Sequence, residues 1–119
     1  NIPDNYNDGA YWNVPLDSIT SMINTALSKG FSVALDCDVS EKTFIREPIQ
    51  IAVFPEDKKA DFVHHLVPEN WISAQERDQQ FQAYETTDDH LMQIVGCYKD
   101  QLGNQYYKVK NSCVSSESG

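Results

Sequence analysis

The chain has 119 residues, is 40% hydrophobic and 11% aromatic, and carries a formal net charge of −9. That length holds one hydrophobic core rather than two, and the composition belongs to a folded chain rather than a disordered one. The acidic balance argues against a nucleic-acid partner, which needs clustered Lys and Arg, and no apolar run approaches the ~20 residues that span a bilayer.

The first residues, NIPDNYNDGAYWNV, are neither a signal peptide nor a Met-initiated start, so a processed or excised piece of chain is expected. From 14 to 30 the apolar residues Leu16, Ile19, Met22, Ile23, Ala26 and Leu27 recur at three- and four-residue steps, which predicts a helix with one apolar stripe. Pro15 suits its first turn, Asp17 favours the positive end of its dipole, and Gly30 supplies a stop. FSVALD (31–36) places Phe31, Val33 and Leu35 on one face of a strand. IQIAVF (49–54) reads as a second strand ended by Pro55, and residues 55–70 as an irregular surface excursion. Ser73 and Glu76 form an S-x-x-E capping box that opens a helix from about 74 to 84. Residues 91–98 and 105–110 read as the strands of a hairpin with Gly103-Asn104 at its turn. The order of elements gives an α+β fold with an antiparallel sheet or partial barrel, in a single domain over 1–119.

Cys37, Cys97 and Cys113 are an odd count without CxxC spacing, which disfavours a disulfide framework and a structural zinc site. Cys37 sits in Asp-Cys-Asp, where two carboxylates would raise its pKa, so a structural thiol is expected. His64-His65 alternate on an extended backbone, and Asp88, Asp89 and His90 are consecutive. Neither set converges on one ion, and no metal or cofactor is expected. The compartment is open between cytoplasm and periplasm, and the chain is expected to be soluble.

Folding the hairpin about 101–104 brings the region near 90–93 opposite the region near 111–114, so His90 and Asn111 come together at the open end of the ladder. An imidazole acting as a base needs its other nitrogen held by an acceptor, and an Asn oxygen does this without adding charge. Such a pair suits a Cys nucleophile, and Cys-His-Asn is a recognised triad variant.

Four stretches share one further likeness. Tyr11-Trp12-Asn13-Val14-Pro15-Leu16-Asp17, LDCDVSEK (35–42), ETTDDHLMQIVG (85–96) and YYKVKNS (106–112), in that order, resemble the C-terminal half of bleomycin hydrolase and aminopeptidase C, which are papain-like cysteine peptidases. The resemblance covers nearly all of 10–112. It implies the right-hand, barrel-like half of a papain fold, truncated at its C-terminus, with His90 and Asn111 as the catalytic His and Asn. It departs where the family continues Asn-Ser with Trp-Gly, a Trp that covers the His–Asn hydrogen bond; here Cys113 and Val114 follow Ser112. The family's nucleophile lies upstream in a C-x-x-C-W/Y-like setting that none of the three cysteines reproduces.

The expected activity is therefore the C-terminal part of a cysteine aminopeptidase, with a peptide substrate and a Cys-bearing N-terminal half as partner, the isolated chain being inactive. A non-catalytic paralogue serving as a binding or regulatory module is the alternative. A small hydrolase using Cys113 with His90 is a third. Self-association through an exposed cleft face and a disordered polar tail over 114–119 complete the expectations.

Overall fold

The computed structural model describes residues 9–46, 50–57, 61 and 64–111. They form an α+β structure with two helices and antiparallel ladders, gathered in two compact units, Asn1–Cys37 with His90–Gly119 and Asp38–Asp89.

The first unit begins with helix α1, Leu16–Ser28. The Pro15 carbonyl accepts from the Ser18 and Ile19 N–H groups at the helix start, and Asp17 lies in the first turn. At the other end Gly30 takes φ +82. There its N–H reaches the Leu27 carbonyl while the Phe31 N–H reaches Ala26, the paired bonds of a glycine-terminated helix. The turn ejects Phe31 from the strand that follows, leaving it 66% exposed. Strand β1 is Val33–Cys37, with Val33, Leu35 and Cys37 half-buried and Ala34 and Asp36 exposed.

β1 pairs with β4, His90–Lys99, and β4 with β5, Gln105–Asn111, in a three-stranded antiparallel sheet of order β1-β4-β5. Ile94 opposes Val33 on one side and Val109 on the other, and at 2% exposure it is the deepest residue of this sheet. α1 covers that face. The Asn24 side-chain oxygen accepts from Gln105 Nε2 at 2.7 Å and from the Tyr107 hydroxyl at 2.9 Å. On the hairpin strands Tyr98 stacks on Tyr106 with ring centres 5.5 Å apart. The turn is wider than a Gly103-Asn104 dipeptide. The Asp100 carboxylate accepts from the N–H groups of Leu102 and Asn104 and from Asn104 Nδ2, each at 2.8 Å, and Gly103 takes φ +88.

The second unit holds β2, Phe44–Ile45, paired with β3, Ile51–Ala52, and helix α2, Ala74–Gln82. The expected strand over 49–54 is thus only two residues among those described. Its continuation is tied across 55–70: Pro55 bridges Glu69, and the N–H groups of Glu56 and Asn70 bond the carbonyls of Pro68 and Phe54. Val53 is buried beside this closure at 7% exposure. Ser73 caps α2 as the motif predicts, its hydroxyl oxygen accepting from the Glu76 N–H at 3.1 Å.

The barrel-like closure implied by the resemblance is not found among the described residues. Closing a sheet on itself requires more strands and a staggered register. Here β1 and β5 remain the edges of a three-stranded sheet, and β2-β3 is a separate ladder.

Candidate functional site

Two features of β4 place His90. Along β1 the register runs from Val33↔Ile94 to Cys37↔His90, so His90, Met92 and Ile94 share the face covered by α1, with His90 at the end farthest from the hairpin turn. Toward β5, Ile94 pairs with Val109 but Gly96 pairs with Lys108, leaving Val95 as one extra residue on β4. That is a β-bulge, and a glycine inside a strand pattern is its sequence mark.

The bulge decides which side chains meet. Side chains alternate strictly along a ladder, so a one-residue slip moves a whole strand segment to the other face. Extending the hairpin's near-turn register without interruption would place His90 and Asn111 on opposite faces. Setting Val95 outside the ladder as a bulge restores the parity: Met92 opposes Asn111, and His90 lies diagonal to Asn111 on the same face. Diagonal neighbours are within reach of longer side chains. The contact is made, with His90 Nε2 and Asn111 Oδ1 2.7 Å apart, both residues being half-buried.

An amide oxygen has no proton to give, so in this bond Nε2 donates and Oδ1 accepts. The neutral ring then carries its proton on Nε2 and presents Nδ1 as its accepting nitrogen. A ring fixed in orientation and tautomer by a neutral acceptor is the arrangement of a general base awaiting an acidic proton.

The structure thus brings together the two residues expected to meet. It adds a third group that the sequence reading assigned elsewhere: Cys37, the cross-strand partner of His90. Strand alternation turns Asp36, one of the acidic neighbours behind that expectation, to the exposed face. The Asp38 carboxylate is committed to hydrogen bonds from the N–H groups of Ser40, Glu41 and Thr87 and from the Ser40 hydroxyl. Burial pushes its pKa up, but the bonds from Thr87, Ser40 and Glu41 outweigh this and hold it below the usual carboxylate range.

The other candidates are dispersed. Cys97 is an exposed free thiol opposite Tyr107. It borders an open cavity of about 340 Å³ shared with Asn24, Ser28, Phe31 and Val95. His64 and His65 are exposed, and Asp89 Oδ1 accepts from the Val39 N–H at 3.0 Å. Among the described residues no group of three or more His, Cys, Asp or Glu is placed to hold a metal ion, and no helix is long and apolar enough to cross a membrane. Ser112, Cys113 and the 114–119 tail lie outside the described residues, so the expectations resting on them have no structural counterpart.

In comparison with known proteins, no family model matches the chain and no curated protein is found to be related to it.

Proposed function

We propose that this chain is the His- and Asn-bearing right-hand part of a papain-like cysteine aminopeptidase of the bleomycin hydrolase type, working with a Cys-bearing portion. The observation that carries the reading is the 2.7 Å bond between His90 Nε2 and Asn111 Oδ1 on the covered face of the sheet. Asn111 holds the ring, and Nδ1 takes the proton of an incoming thiol. The thiolate attacks the peptide carbonyl near the substrate's N-terminus, and the imidazolium returns the proton to the departing amine. The excess of acidic residues favours approach of an α-ammonium group.

The sequence after Asn111 supports a second reading, that of a non-catalytic binding or regulatory module. Cys113 stands where the resembled family has the Trp that shields the His–Asn bond.

Hydrolysis of an aminoacyl fluorogenic amide separates the two. The first reading expects no turnover by the chain alone, and thiol-inhibitor-sensitive turnover when the Cys-bearing half of a bleomycin hydrolase-type enzyme is added, lost in His90→Ala. Tight association with that half but no turnover would favour the module. Turnover by the chain alone, unaffected by His90→Ala, would sink both.

A further inference from the structure

We propose that Cys37 is a site of thiol–disulfide exchange with small disulfides, His90 serving as the group that takes its proton. The basis is the juxtaposition of three functional side chains on three neighbouring strands. Cys37 ends β1 as the Cα partner of His90 on β4, and Asn111 ends β5 bonded to the same imidazole. Directly opposed residues of an antiparallel pair project to one face with Cβ atoms about 4.5–5.5 Å apart. That register sets the Cys37 thiol and the His90 imidazole side by side on one face of the sheet. Burial follows the same geometry, since Cys37 and His90 are each half-buried.

The chemistry then follows from which nitrogen is engaged. Asn111 occupies Nε2, so Nδ1 is the atom that accepts a proton, and the residue paired with His90 on the β1 side is Cys37. A nucleophile, a base and a group orienting the base form the recurring pattern of activated cysteines. The surrounding positions of this face, Val33, Leu35, Met92, Ile94 and Val109, are uncharged. Asp36 lies on the other face of β1, and Lys110, opposite Gln93, on the other face of β5.

The step balances without a further reagent. His90 takes the Cys37 proton, and the thiolate attacks one sulfur of the incoming disulfide. The Cys37 S–S bond forms as the original S–S bond breaks, and the departing thiolate recovers the proton from the imidazolium. The result is a mixed disulfide on Cys37 and one equivalent of free thiol. Its bulk lies on the Nδ1 side of His90 and withholds that base from any other thiol until a reductant removes it. Cys37 holds this position by strand register alone, whether or not a second chain ever supplies a peptidase nucleophile.

The test uses the full chain carrying Cys97→Ser and Cys113→Ser, so that Cys37 is its one thiol, with oxidised glutathione as the probe and intact mass as the readout at pH 6.5. A thiol whose pKa a basic neighbour lowers holds more thiolate at that pH and gives back part of the gain through weaker nucleophilicity, leaving a net acceleration of about fivefold. The native chain should therefore react about fivefold faster than the same chain in urea. His90→Gln should remove the difference, and Asn111→Ala, which keeps the base but releases the ring, should reduce it. In the unsubstituted chain, peptide mapping should find the first adduct on Cys37. A native rate no faster than the unfolded one, or first modification at Cys97 or Cys113, would overturn the proposal. So would an unchanged rate in a His90→Gln chain whose circular dichroism shows it folded. Should His90→Gln fail to fold, Asn111→Ala decides the matter, and a rate equal to the parent's overturns it.

Discussion

Replacing Asn111 with Ala removes the oxygen that holds the Nε2 proton of His90, and the consequence is legible in the ring itself. The bond is short, 2.7 Å, and made between half-buried groups, so neither partner is fully compensated by water. A neutral side-chain hydrogen bond of this kind is worth about 1 kcal/mol net, or a factor of about five in a two-state equilibrium at room temperature. The equilibrium at stake is between the two neutral tautomers. In the parent chain the Nε2–H form is favoured by that factor beyond the intrinsic preference of imidazole. Nitrogen-15 chemical shifts of the His90 ring, recorded at a pH where the ring is neutral, report the tautomer ratio directly. The ratio should fall about fivefold toward the Nδ1–H form in Asn111→Ala, with unfolding stability lowered by about 1 kcal/mol. A ratio unchanged by the substitution would show that Asn111 does not set the tautomer, and the assignment of Nδ1 as the accepting nitrogen would fall with it.

Two further outcomes are expected. Deleting Val95 lets the Ile94↔Val109 and Gly96↔Lys108 pairs abut as a regular ladder, so every cross-strand partner is kept. The His90 tautomer ratio should be unchanged and stability altered by no more than about 1 kcal/mol; loss of the ring's preference would contradict the parity argument. For Asp38, whose folded carboxyl lies below its ordinary range, the stabilisation is complete above the unfolded value of about pH 3.9 and is lost as pH falls through the lower folded value. The stability gap between the parent and Asp38→Asn, measured by urea unfolding, should be constant at neutral pH and shrink below about pH 4. A gap that stays constant to pH 2 would be inconsistent with a charged acceptor.

Much of this arrangement is legible in the sequence where a local signal has a single physical meaning. The stripe of Leu16, Ile23 and Leu27, the Ser73-Glu76 box and the glycines at 30 and 103 each specify a helix, a cap or a turn whose bonds are then found. His90 and Asn111 were locatable because a hairpin pairs residues by counting outward from its turn. What escaped depends on distant partners. Phe44–Ile45 is too short to show a period, and no local pattern announces the separate bridge from Pro55 to Glu69 that follows its partner strand. Tyr84 closes α2 in the left-handed region at φ 56, where the sequence offers neither Gly nor Asn as a cue. Around Cys37 the sequence shows only the neighbours Asp36 and Asp38, whereas the residue opposite it in the sheet lies more than fifty positions away. The Gly96 cue to a bulge was present, and it carries the parity on which the His90–Asn111 bond depends.

The pair Cys37↔His90 is also where the chain leaves the three-stranded sheet and returns to it, with Asp38–Asp89 spanning the interval. Two residues held as Cα partners are about 4.5–5.5 Å apart, a gap that a tight turn can bridge. The interval is thus a large closed loop whose ends the sheet must hold together, at an entropic cost that falls by only about 0.6 kcal/mol for each halving of its length. The sheet, α1 and the imidazole–amide pair all lie outside the loop. Evolution or design can therefore lengthen, shorten or exchange the interval at little cost to the geometry beside its neck. Joining β1 to β4 by a short turn would make them a second hairpin, leaving a minimal scaffold in which all three side chains sit on consecutive strands.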